Sequence, residues 1–228
     1  MIVKKHDYII IYTTFSVYLQ KYLNINNLNQ PEETYMYLKE DIEKLGNTII
    51  FLAERIHDLS KTKLLKILYL LDEFSIRETG IPFLNLKYEV WQFGPVAQDI
   101  FIDLSDEPVM LKEFIHTVRL DNKTYVRAGK DFNDDEFSSA ELDFLEKVTA
   151  SLKKHPAYVL VDFTHKTDSL WYSTASRNNL IEAFNQGYTN SSNIQIDFKD
   201  LLQDDPQKLS KYQHHINLGN SLKQFKFN

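Results

Sequence analysis

The 228 residues are 43% hydrophobic and 25% charged, an ordinary globular composition with room for one principal domain and extensions, since domains commonly hold about 100–200 residues. A formal net charge of −6 and a pI near 5.7 argue against a broad nucleic-acid footprint, which needs clustered Lys and Arg to neutralise phosphates. Cysteine is absent, which excludes disulfides, thiolate metal sites and cysteine nucleophiles.

Near the N-terminus, Lys4, Lys5 and His6 precede an apolar run from Tyr8 to Leu19, an order like that of an export signal. Gln20, Lys21 and Tyr22 follow where small residues of a cleavage site belong, and the run is far short of the ~20 residues that span a bilayer. It reads as an amphipathic helix or strand-helix extension, and a cytoplasmic location is the expectation. Asn24 to Pro31, rich in asparagine, reads as a linker or turn.

A helix is expected from Glu33 to Asp58, with Ile42, Leu45, Ile49, Leu52 and Ile56 as its buried stripe. Gly46 lies inside that stripe and costs about 1 kcal/mol of propensity relative to alanine, which makes it the weak point of the helix. The next helix starts at Ser60, a suitable N-cap. Leu64, Leu68 and Leu71 form one stripe and Leu65, Ile67, Tyr69 and Leu70 fill the flanks, the pattern of a helix at the centre of its domain. Gly80 is the expected C-cap, with Pro82 beyond it. Alternation over residues 86–93 predicts a strand. Gly94 allows an unusual backbone angle, and Pro95 suits a first helical position, so a helix is expected near Val96 with Ile100, Phe101 and Leu104 inward.

Thr117–Leu120 and Thr124–Arg127 flank Asp121-Asn122-Lys123, a hairpin signal that with 86–93 predicts a three-stranded sheet. After the acidic loop Asn133–Glu136, the Ser138 to Glu141 spacing predicts a capping box, and the following helix buries Leu142, Leu145, Val148 and Leu152. Pro156 opens a further helix through Phe163. Residues 185–206 read as polar and irregular, and Gln207–Phe225 as helical with few apolar positions. The resulting partition is an N-terminal extension (1–31), a helical domain (32–184) and a C-terminal extension (185–228). The fold class is α+β, predominantly helical, with a helical core and a small antiparallel β-sheet or hairpin.

The chemistry is sparse. His165 lies near Asp162, Thr164 and Asp168, residue types that serve as general base or metal ligand, but only His155 is nearby as a second imidazole and no HExxH-type pair occurs. A structural hydrogen-bonding role beside Trp171 is the preferred reading. His214 and His215 point about 100° apart on a helix and chelate poorly together. GxGxxG, P-loop and GxSxG sequences are absent. No catalytic residue, cofactor or metal is therefore expected. Trp91, Phe93 and Pro95 form an aromatic, rigid corner that reads either as core packing or as an interface anchor. Lys61, Lys63 and Lys66 read as solvated helix-face lysines.

Lys63-Leu-Leu-Lys-Ile-Leu-Tyr69, the Gly80-x-Pro82 turn, Trp91-Gln-Phe-Gly-Pro-Val96, Thr164-His165 and Trp171 together resemble the Panacea domain, the SocA-like antitoxin domain often described as phage-associated. The resemblance runs from roughly Leu45 to Ala183. It implies a mostly helical domain with a small sheet that neutralises a cognate toxin by protein-protein binding, and in at least one relative hands the toxin to a protease. Tyr69, Trp91, Phe93, Gly94, Pro95, His165 and Trp171 are the motif and candidate partner-binding residues it implies; no membrane partner is expected. Two other readings stand beside it. One is a DNA-associated transcriptional regulatory module, because paired helices with a hairpin can form a winged arrangement; the other is a small hydrolase using His165 with Asp162 or Asp168.

Overall fold

Helix α1 spans Lys39–Arg55 in a computed structural model that describes residues 37–227. The expected N-terminal extension, the Asn24–Pro31 linker and the first residues of the 33–58 helix lie outside the described residues. Asp41 accepts the Leu38 N–H (3.2 Å) at the start of α1, and Glu40 and Asp41 place negative charge in the first turn, where the helix dipole favours it. The helix runs unbroken through Gly46, the weak point of its sequence. A β-carbon there would stand 2.3 Å from the Phe114 ring, so the glycine serves close packing of that ring on the helix backbone.

Helix α2 (Lys61–Thr79) is capped by the Ser60 hydroxyl, which accepts the Lys63 N–H, and ends at Gly80, left-handed at φ 82°. Its leucines and isoleucines are buried on all sides, so it is the central helix, as its pattern predicts. Lys63 and Lys66 are also buried, at 1% and 2% exposure, which corrects the solvated-lysine reading. Lys63 Nζ bonds to Asp58 Oδ1 (2.9 Å) and the Lys153 carbonyl (2.8 Å), and so ties α2 to the end of a later helix.

The strand expected over 86–93 is shorter, β1 (Glu89–Trp91), and it pairs antiparallel with β2 (Gly94–Val96). Pro95 is thus a strand residue rather than the start of a helix. Gly94, at φ 96°, reverses the chain after Gln92-Phe93, so Pro95 returns opposite Val90. Proline is tolerated because Val90 sends its N–H the other way, to the Ile194 carbonyl (2.9 Å), leaving a pair that needs no donor from residue 95. Helix α3 (Gln98–Asp103) follows, with Ile100 and Leu104 buried and Phe101 half-buried.

Strands β3 (Ile115–Leu120) and β4 (Lys123–Ala128) form the predicted hairpin. Asp121 and Asn122 both have positive φ, 48° and 62°, the two-residue turn whose twist suits such a pair. The hairpin does not join β1 in one sheet. Among the described residues β1 is flanked by β2 and by the 190–196 segment, through Val90, Gln92 and Ile196 N–H bonds, while β4 is bridged to Ser60 and receives Leu59 as an acceptor. The outer edges of β1 and β4 are thus taken by other segments of the chain.

Helix α4 (Ser139–Leu152) carries the predicted Ser138–Glu141 capping box and buries Leu145, Val148 and Leu152, with Leu142 half-buried. Helices α5 (Ala157–Thr164), α6 (Leu170–Arg177) and α7 (Leu180–Asn185) follow. The irregular stretch after them holds a short 3-10 turn (Phe198–Leu201) and buries Ile196, Phe198 and Leu202 in the core. Helix α8 (Pro206–Phe227) closes the described chain. The fold is predominantly helical α+β, as expected, and no helix among the described residues is long and apolar enough to cross a membrane.

Candidate functional site

The β1–β2 hairpin is gripped from three sides through its own backbone oxygens. Trp171 Nε1, from α6, donates to the Trp91 carbonyl (3.0 Å). His165, at the end of α5, places Nε2 2.9 Å from the Gln92 carbonyl. Lys66, from α2, donates to the Pro95 carbonyl (2.7 Å). The Gln92 side chain adds a bond to the Phe184 carbonyl (3.2 Å). Residues spread over a hundred positions of sequence thus converge on one five-residue turn.

The convergence is close. The His165 ring lies 3.9 Å from the Trp171 ring, centroid to centroid, and its Nδ1 faces the Val161 carbonyl at 2.7 Å. A β-carbon on Gly94 would meet Thr164 Oγ1 at 2.6 Å and Lys66 Cε at 3.0 Å, so residue 94 needs glycine for space as well as for its positive φ. Thr164 itself donates to the Val161 carbonyl (2.8 Å), which keeps its hydroxyl in place against the turn.

Burial governs the electrostatics. It lowers the Lys66 ammonium from 10.5 to about 7, because a cation loses its hydration there and gains one carbonyl. Burial also lowers His165, assisted by the Lys66 charge, while the bonds to Gln92 and Val161 pull the other way. Both imidazole nitrogens face backbone carbonyls. A general base needs a nitrogen directed at a substrate proton, and this ring directs neither; Asp162 and Asp168 are exposed. The arrangement fixes a backbone conformation.

A second buried group prepares the approach to the hairpin. Asp72, fully buried on α2, accepts the N–H groups of Leu84 (2.6 Å), Asn85 (3.1 Å) and Leu86 (3.2 Å) and the Tyr88 hydroxyl (2.8 Å). Burial pushes its carboxyl pKa up, while the four bonds pull it down. Asn85 is held at φ 57°, so one carboxylate sets the bend that delivers the chain into β1. Sequence reasoning missed Asp72 and misread Lys66. The available signal was charge at positions where an all-round apolar helix leaves no wet face, since a buried charge must find partners.

Of the residues singled out from the sequence, Gly94, Pro95, His165 and Trp171 meet in this clasp, together with Trp91. Trp91, Phe93 and His165 are half-buried; Gly94, Pro95 and Trp171 are buried. Tyr69 is elsewhere. It is 1% exposed in the core, with its ring 5.2 Å from that of Tyr88 and 5.7 Å from that of Phe198, which leaves its ring no surface to offer a partner. His155 and His214 are exposed, and among the described residues no group of three or more His, Asp or Glu is placed to hold a metal ion.

Residues 64–172 match the family model described as antitoxin SocA-like, Panacea domain, so the resemblance read from the motifs holds over this segment. The match opens on the first turn of α2 and closes on α6. It therefore contains every side chain of the clasp and the Asp72 cap. No curated protein and no solved structure matches the chain.

Proposed function

We propose that the protein is an antitoxin that binds a cognate toxin and neutralises it by protein-protein contact. The observation that carries this reading is the antitoxin-like family match over residues 64–172, which coincides with the clasped hairpin. In this reading the polar groups of the clasp do structural work. Lys66, His165 and Trp171 hold the backbone of 91–95 in one conformation, so that Trp91 and Phe93 are carried on a rigid support; rigid aromatic residues bury much area at small entropic cost. We assign these two residues to the partner interface and place the protein in the cytoplasm. Delivery of the bound toxin to a protease is a further step of the same reading.

The test is co-expression with the product of the adjacent gene. Growth arrest by that product alone, relieved by this protein through a complex that survives purification, is the expected result. A shortened half-life of the product when the two are co-expressed would support the delivery step. Relief without any complex, or an adjacent product that leaves growth unaffected, would overturn neutralisation by binding.

A further inference from the structure

Helix α8 is apolar on two opposite sides. Leu209, Tyr212 and Ile216 pack against the core, and at about 100° per residue they fall within one narrow arc. Leu218, Leu222 and Phe225 fall on the far side and are 52%, 45% and 87% exposed. A helix lying on a monomer's surface needs only the first stripe. The second is spaced i, i+4, i+7, the anchor pattern of a helix that enters a groove.

The charge of the helix says what kind of groove. Between Pro206 and Phe227 the chain has Lys208, Lys211, Lys223 and Lys226, two histidines and no aspartate or glutamate. Since the whole chain carries −6 and these four lysines +4, the remaining residues carry −10. Lys208 and Lys223 are turned to the body, onto the Arg77 carbonyl with Asp205 and onto Asp41 respectively. Lys211 is exposed and stands seven residues before Leu218, on the same outward line as Phe225.

Two such helices set face to face would bring like charges together without a carboxylate to pair them, which disfavours a homotypic helix pair. An apolar groove rimmed by carboxylates satisfies both the three apolar side chains and the lysine. We propose that the outward face of α8 is a docking helix for a protein partner with such an acid-rimmed apolar groove. The inference rests on the neutralisation reading, because the partner it assigns is the toxin.

The experiment measures the affinity of the full-length protein for the purified product of the adjacent gene. The variants are Leu222→Ser with Phe225→Ser, Lys211→Glu, and Tyr188→Ser as a control, since Tyr188 is 79% exposed in a different region. All four residues are exposed, so thermal midpoints should stay within ~2 °C of wild type. The double variant should lose about tenfold or more in affinity, Lys211→Glu several-fold, and the control nothing; added salt should weaken wild-type binding. Wild-type affinity in both stripe variants would overturn the docking helix and leave neutralisation standing, whereas a wild-type protein that does not bind the product would overturn both. The inference also falls if the double variant keeps its affinity but loses co-sedimentation with phosphatidylglycerol-containing vesicles, which would assign the stripe to a membrane surface. Conversion of a dimer to a monomer with affinity retained would assign it to a second copy and would sink it equally.

Discussion

His165 Nε2 lies 2.9 Å from the carbonyl oxygen of Gln92, a contact that spans 73 positions of the chain. It joins the end of helix α5 to the tip of the β1–β2 hairpin, and with Nδ1 2.7 Å from the Val161 carbonyl both ring nitrogens lie against backbone oxygens, one of which accepts the single N–H of the neutral ring. A histidine that looks catalytic in isolation is, in this fold, a brace.

Replacing the brace should therefore cost stability. His165→Ala removes the ring packed against Trp171 and leaves the Gln92 carbonyl without its imidazole partner, so unfolding free energy should fall by about 1–3 kcal/mol, the cost of an unmet buried polar group. His165→Gln should recover part of it through one amide donor. Urea unfolding of the three proteins measures this, and an unchanged midpoint for His165→Ala would contradict the clasp.

Lys66 imposes a pH dependence whose sign follows from burial. Its folded pKa is lowered from 10.5 to about 7, so between those values the unfolded chain binds more protons than the folded one. This group consequently makes the protein more stable as pH rises from about 7 toward 10.5, and below pH 7 its cost is constant. Lys66→Met abolishes that slope and leaves the Pro95 carbonyl unpaired. The stability difference, wild type minus variant, should grow between pH 7 and pH 10; parallel pH profiles would rule the mechanism out.

Gly94→Ala tests the turn itself. The new methyl group meets Thr164 Oγ1 at 2.6 Å in a backbone conformation with φ 96°, where strain alone is about 1–3 kcal/mol. A clear fall in melting temperature is expected, together with weaker partner binding if the hairpin carries the interface. A variant as stable as wild type would show that residue 94 tolerates a side chain and that the clasp is loose.

Gly46→Ala opposes two effects of known sign. Helix propensity favours alanine by about 1 kcal/mol, whereas the added carbon would lie 2.3 Å from the buried Phe114 ring, and overpacking typically costs about 1–3 kcal/mol. Net destabilisation is expected. The diagnostic measurement is a double-mutant cycle with Phe114→Ala: the two changes should be less damaging together than their sum, and strict additivity would mean that the ring does not decide the choice of glycine.

What was legible in the sequence was the chemistry of near neighbours. The Ser60 cap and Gly80 stop of α2, the Ser138–Glu141 capping box and the Asp121-Asn122 turn each involve residues within a few positions of one another, so their spacing alone dictated them. The central place of α2 was also readable, because a helix apolar all round has nowhere else to go. Tertiary structure decided the rest. Whether Gly94-Pro95 starts a helix or turns a hairpin depends on Lys66, His165 and Trp171, which arrive from three other helices. The need for glycine at position 46 comes from Phe114, and the outer edges of β1 and β4 are taken by distant segments. Local propensities differ by about 1 kcal/mol or less per residue, whereas leaving a buried donor, acceptor or charge unpaired costs more, so the long-range partners of the buried polar groups settled each point that local sequence left open.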